Sequence, residues 1–167
     1  MRTTIYLTGF MGVGKSAVGK ELARLLRRPF IDLDLSIERA AGSSVASLFA
    51  RRGETEFRKL ERKALLRASR RTGVIVALGG GTLLDPRNRA LTKKGFLVCL
   101  SCSRSELVRR LGPSRASRPL LAGGALGVRV GKLLKERAAA YADVDCVVST
   151  TVNSPQDAAS LIAQRIP

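Results

Sequence analysis

The sequence predicts an α/β fold, a three-layer α/β/α sandwich around a five-stranded parallel sheet. Short apolar, β-branched runs alternate with longer segments of helical periodicity along the chain. A glycine-rich turn links the first such run to the first helical segment. The 167 residues contain no repeat, linker or break in composition, so one domain over residues 1–167 is expected.

Thr4-Ile5-Tyr6-Leu7-Thr8 is short, apolar and β-branched and reads as a buried strand. Residues 16–26 place Val18, Leu22, Leu25 and Leu26 at helical spacing, and Pro29 ends that helix. Phe30-Ile31 supplies the second strand. Residues 35–48 read as a helix interrupted near Gly42-Ser43. Residues 54–69 form a strong helix with Phe57, Leu60, Ala64 and Leu65 on one face, and Glu54 and Glu56 in the first turn, where the helix dipole favours acids. Val74-Ile75-Val76-Ala77-Leu78 is the third strand and runs into Gly79-Gly80-Gly81. Residues 86–93 are a short helix and residues 96–100 the fourth strand. Ser103, with Glu106 three residues on, predicts a capping box at the next helix. Residues 112–127, rich in Gly, Pro, Ser and Arg, predict a mobile loop. Residues 128–141 are helical, Cys146-Val147-Val148 is the fifth strand, and residues 155–166 close the chain as a helix begun by Pro155.

Composition narrows the function classes. No apolar run approaches the roughly 18 residues a membrane span needs. The start, Met1-Arg2-Thr3-Thr4, carries neither signal-peptide nor transit-peptide character, so a cytoplasmic protein is expected. Cys99 and Cys102 form a C-x-x-C, but there is no second pair and no histidine, so zinc would lack two ligands. The absence of histidine also removes Ser-His-Asp and Cys-His catalysis. The net charge is +17, yet the basic residues are scattered and aromatics make up 4%. Stacking platforms for RNA are therefore not expected, and the partners expected are small molecules rather than nucleic acid or membrane.

Gly9-Phe10-Met11-Gly12-Val13-Gly14-Lys15-Ser16 fits G-x-x-x-x-G-K-[ST], between a buried strand and a helix. Glycines let successive N–H groups turn inward, and with the helix N-terminus they make a nest for phosphate oxygens. Lys15 adds charge at the β- and γ-phosphates, and the Ser16 hydroxyl can ligate Mg²⁺. This P-loop implies ATP or a similar triphosphate without naming an acceptor. Asp32 and Asp34 follow the second strand, two residues apart at the crevice end of the sheet. Asp32 can reach the magnesium shell and Asp34 can hold an acceptor hydroxyl; alternatively Asp34 is a helix N-cap in a solvated turn. Both remain open at this level.

Five further blocks are similar to the shikimate kinase family, within the nucleoside monophosphate kinase-like P-loop fold. They are Phe30-Ile31-Asp32-Leu33-Asp34-Leu35-Ser36-Ile37-Glu38, Gly53-Glu54-x-x-Phe57-Arg58-x-x-Glu61, Leu78-Gly79-Gly80-Gly81, Arg118-Pro119-Leu120-Leu121 and Arg137-x-x-x-Tyr141. They lie in the family's order over essentially the whole chain. The resemblance implies ATP-dependent phosphorylation of the 3-hydroxyl of shikimate, on the route to chorismate and the aromatic amino acids. It places shikimate on Asp34, Arg58, Gly79, Gly80, Gly81 and Arg137. It places the nucleotide on Gly12, Val13, Gly14, Lys15, Ser16, Ala17, Arg110, Arg118 and Pro155, and Mg²⁺ on Ser16 and Asp32.

Lys15, Asp34 and Arg118 are then the catalytic residues, and residues 112–127 a lid carrying Arg118, with Arg115 a second candidate for its role. Arg58 alone could instead be a helix-face ion pair with Glu54 or Glu61. Two departures stand out. The lid stretch 122–127 is unusually small and apolar, and the charge exceeds what the reaction requires, leaving room for an extra polyanion contact. A gluconate kinase-like enzyme and a silent P-loop binding module are the rival expectations, and a monomer is the expected state.

Overall fold

The computed structural model describes residues 3–167; the expectation resting on Met1 and Arg2 lies outside them. Among the described residues the sheet has five parallel strands, β1 (Ile5–Gly9), β2 (Phe30–Asp32), β3 (Ile75–Ala77), β4 (Phe96–Ser101) and β5 (Cys146–Ser149), in the order β2-β3-β1-β4-β5. Seven α-helices surround it: α1 (Lys15–Leu26), α2 (Leu33–Ala41), α3 (Val45–Ser69), α4 (Pro86–Thr92), α5 (Arg104–Leu111), α6 (Leu126–Arg137) and α7 (Pro155–Ala163). The three-layer architecture is as the sequence predicts.

The layers follow from the two-residue period of a strand. All of β1 is buried, and its Ile5 and Leu7 face a core formed with Val18 and Leu22 of α1, Leu107 of α5, Val130 of α6 and Ile162 of α7. Tyr6, one residue along, faces a second core with Leu65 of α3 and Leu83. Burying each such aliphatic side chain contributes about 1.5–3 kcal/mol. Because β3 and β4 flank β1 on opposite sides, the chain changes direction at β1, and ligands bind at the carboxyl end of such a switch point.

Local details of the expected elements have physical causes. The interruption expected near Gly42-Ser43 divides the 35–48 stretch into two helices: Gly42, at φ 61°, caps α2, and Ser44 restarts the chain by accepting from Ser47 N–H. The second of these continues into the expected 54–69 helix as α3, broken only at Gly53, whose φ of 75° and ψ of 172° are non-helical. At α5, Ser103 accepts from Glu106 N–H, but Glu106 spends its carboxylate on Arg109 and Arg110, so the box is half made. The complete capping box is at α7, between Ser154 and Asp157. In the expected loop, 3-10 turns at Arg115–Ser117 and Pro119–Leu121 fold around a fully buried Leu121, and α6 begins two residues before the expected 128. A 3-10 turn, Ala138–Tyr141, extends α6. No helix of the described residues is long and apolar enough to cross a membrane.

Candidate active site

The loop after β1 turns back at Gly12 (φ 81°) and Gly14 (φ 95°), a left-handed backbone that other residues rarely adopt. Gly14 is the N-cap of α1, which has no acidic residue in its first turn to compete for its N–H groups. Lys15 curls over this loop, donating from Nζ to the carbonyls of Gly9 at 2.8 Å and Phe10 at 3.0 Å. Burial pushes its pKa down to about 8; Asp34 and Asp32 oppose that shift, and Arg137 and Arg118 reinforce it. Val13, buried, and the exposed Ala17 bracket these residues.

Asp32 is the N-cap of α2. One of its oxygens accepts from Leu35 N–H at 3.2 Å, and the other accepts from the Ser16 hydroxyl at 2.5 Å. Asp34 is therefore not the cap; it sits in the first helical turn and points its carboxyl into the adjoining cavity. Burial raises its pKa to about 6, against the opposing charge of Lys15, with Glu61, Asp32 and Glu38 adding to the rise. Ser16 and Asp32 offer a hard cation two oxygen donors. Among the described residues there is no cluster of three or more His, Cys, Asp or Glu able to cage a metal alone. That donor set fits Mg²⁺, which takes one or two protein oxygens and completes its shell with water and substrate phosphates.

The cavity beside the loop has a volume of about 340 Å³, within the range of small-molecule sites. Asp34, Arg58, Gly79, Gly80, Gly81, Arg118 and Arg137 all line it, so seven residues spread over a hundred positions of sequence converge there. Arg58 bonds Glu54 at 2.9 Å and Glu61 at 2.8 Å, so the ion-pair reading and the cavity position are both correct. Glu61 is fully buried and also accepts from Thr82 Oγ1 at 2.6 Å, which fixes the guanidinium against Gly81. Any side chain at Gly81 would run into that guanidinium. Arg137 is 3% exposed, donates from Nη1 to the Gly80 carbonyl at 2.9 Å, and keeps a buried Nε–H with no partner. Tyr141 donates to the same carbonyl, which holds the glycine turn in place.

Arg118 lines the cavity, and among the described residues its side chain bonds only the neighbouring Ser114, whereas the Arg115 side chain is used on the carbonyls of Leu121, Gly123 and Gly124. The two arginines thus have separate places. Arg110 lies outside the cavity, paired with Glu106 and donating to the Thr150 carbonyl; Thr150 in turn donates to the Val13 carbonyl of the loop. Pro155 is exposed at the first position of α7 and does not line the cavity. The sequence offered no signal for Thr150, and it offered Glu61 as the end of a family block and a possible partner of Arg58, with no role of its own. The three cysteines are unbridged, and burial raises the Cys99 thiol to about 11, leaving it unreactive at neutral pH.

A phosphate nest, a lysine above it, a hydroxyl–carboxylate pair and an adjoining carboxylate–arginine cavity define a P-loop phosphotransferase acting on a small acceptor. The comparisons with known proteins narrow this. The profile of the shikimate kinase family matches residues 11–167. A shikimate kinase of Synechococcus sp. is 39% identical over 165 residues, covering 99% of this chain and 85% of that protein. One from Geobacter metallireducens is 41% identical over 154 residues, covering 92% and 86%. The solved shikimate kinase from Acinetobacter baumannii in complex with shikimate superposes with a TM-score of 0.94 at 33% identity, covering 98% of this chain and 92% of that one. The chain belongs to the shikimate kinase family. A gluconokinase from Sinorhizobium meliloti, at a TM-score of 0.62 and 18% identity, shares the fold alone.

Proposed function

We infer that the chain transfers the γ-phosphoryl group of ATP to the 3-hydroxyl of shikimate, giving shikimate 3-phosphate and ADP, through the residues of this loop and cavity. One observation carries the assignment of roles: a carboxyl with a raised pKa and two arginines, one with a buried unpartnered N–H, converge beside the phosphate nest. Arg58 and Arg137 bind the shikimate carboxylate as charge-assisted forks, and the turn 79–81 brings backbone close to the ring. Residues 12–17 cradle the triphosphate. Arg110, its N–H groups committed to Glu106 and Thr150, presents its flat face to the adenine, with Pro155 beyond it.

Ser16 and Asp32 would hold Mg²⁺, which supplies charge neutralisation at the phosphate oxygens when bound. Asp34 accepts the proton of the 3-hydroxyl as that oxygen bonds to the γ-phosphorus and the bond to the β-phosphate oxygen of ADP breaks. Lys15 and Arg118 stabilise the charge that builds on the transferring group. Closure of lid residues 112–127 excludes water that would otherwise take the phosphoryl group. A monomer is proposed as the working unit. Dependence on ATP supports a cytoplasmic site of action.

The test is a coupled assay of ADP release with shikimate, with gluconate, and with neither. Release dependent on shikimate supports the reading; release dependent on gluconate, or indifferent to acceptor, overturns it. Two results are expected in the same assay. Arg58→Lys keeps a cation beside Glu61 but loses the fork, so the KM for shikimate should rise about 10–100-fold with a smaller change in kcat. The pH profile of kcat/KM should rise through about pH 6, as Asp34 loses its proton, and fall above about pH 8, as Lys15 loses its own.

A further inference from the structure

β2 ends the sheet, so one side of its backbone has no strand beside it. Along that edge runs an open groove of about 850 Å³ that shares no residue with the acceptor cavity. Its floor is apolar, built by Phe30 and Ile31 of β2 with Leu60, Ala64 and Ala68 of α3. Its rim carries Lys20 of α1, Arg39 of α2, Arg52, Lys63 and Arg67 of α3, and Arg71, all of them exposed. Among the described residues none of these six cations has an acidic partner within ion-pair distance. The nearby acids are engaged elsewhere: Glu21 on Arg24, Glu54 and Glu61 on Arg58, and Glu56 on Lys59. Asp32, the one carboxylate in the lining, is held by Ser16 and Leu35 N–H. The phosphotransfer scheme uses none of the six.

We propose that this groove docks an acidic, extended segment of a partner protein. The segment adds a strand to the open edge of β2, sets apolar side chains on the floor and meets the six cations with carboxylates. Charge complementarity selects this occupant. A second copy of the chain also carries +17 and is repelled, and the sequence has no acidic run that could fold back into the groove. A nucleic acid would find the cations but no use for a strand edge. Phe30, the groove's aromatic residue, has its ring packed against Gly19 and the core, so it is not free to stack on a base.

The probe is a fluorescein-labelled synthetic peptide alternating glutamate with valine, titrated against the full chain and followed by anisotropy. Binding should weaken with salt, and should fall about tenfold or more in a Lys63→Glu, Arg67→Glu double variant. It should fall comparably when alternate peptide amides are N-methylated, which removes the donors that pair with β2 and leaves the charge intact. The double variant should keep the wild-type CD spectrum and shikimate-dependent rate, since both side chains are exposed and outside the acceptor cavity. Unchanged affinity for the N-methylated peptide or for the double variant overturns the proposal. Tighter binding of a single-stranded RNA of equal charge, sensitive to the same two substitutions, also overturns it and assigns the groove to nucleic acid.

Discussion

Replacing Lys15 with methionine is expected to lower kcat about a thousandfold while the folding transition survives. Its ammonium donates two hydrogen bonds, both to carbonyls of its own loop, so among the described residues its loss breaks no hydrogen bond to a distant segment. Its ammonium is held where burial pushes its pKa down to about 8, with the nearby Asp34 and Asp32 opposing that fall. A triphosphate entering the nest would restore the proton's hold. Methionine preserves the aliphatic stem and deletes the charge, so kcat should fall far more than the affinity for shikimate. A Lys15→Met enzyme with near wild-type kcat would show that the loop binds phosphate without this residue stabilising its transfer.

Asp34→Asn is expected to reduce kcat by about 10²–10⁴, the usual contribution of a positioned base, with the shikimate KM moving much less. The rise of activity through about pH 6 should disappear from its profile; a variant that keeps that limb would show that another group titrates there. Stability should move the other way. The native carboxyl has a pKa of about 6, above its ordinary value, so between pH 4 and 6 the folded state binds more protons than the unfolded one. Stability therefore falls as pH rises through that window, and the loss persists at neutral pH. Asparagine carries no such charge, so the variant should be about 1–3 kcal/mol more stable than the parent at pH 7 and lose that advantage below pH 4. Urea unfolding at the two pH values measures it. A less active, more stable enzyme is the signature of a group held for function against its solvation.

Much of this site was legible in the sequence because its chemistry is local. The P-loop needs glycine where φ is positive and a lysine and serine at the start of the helix, and all of that is written within eight consecutive residues. The strands could be read because a doubly covered sheet demands unbroken apolar runs. Asp34, Arg58 and Arg137 came instead from the order and spacing of the family's blocks. What was not legible depended on contacts between distant segments. Glu61 ends one of the family's blocks, but its burial is not written there; only when α3 packs against Thr82 does it become a buried carboxylate that orients Arg58. Thr150 links Arg110 to Val13 across more than a hundred residues, and no local pattern encodes that bond. The family block favoured Arg118 over Arg115 without excluding either; the 3-10 turns separate them, aiming Arg115 at neighbouring carbonyls and Arg118 at the cavity.

By itself, then, the sequence determined the layered fold, the phosphate nest and the set of side chains available for transfer, since periodicity, backbone conformation and helix polarity are properties of neighbouring residues. The tertiary structure decided which of two aspartates caps a helix and which lines the cavity. It also decided which arginine a buried glutamate holds, and it left six unpaired cations along the open edge of β2. Those outcomes rest on desolvation and on distances between separate elements, and neither exists until the chain has packed.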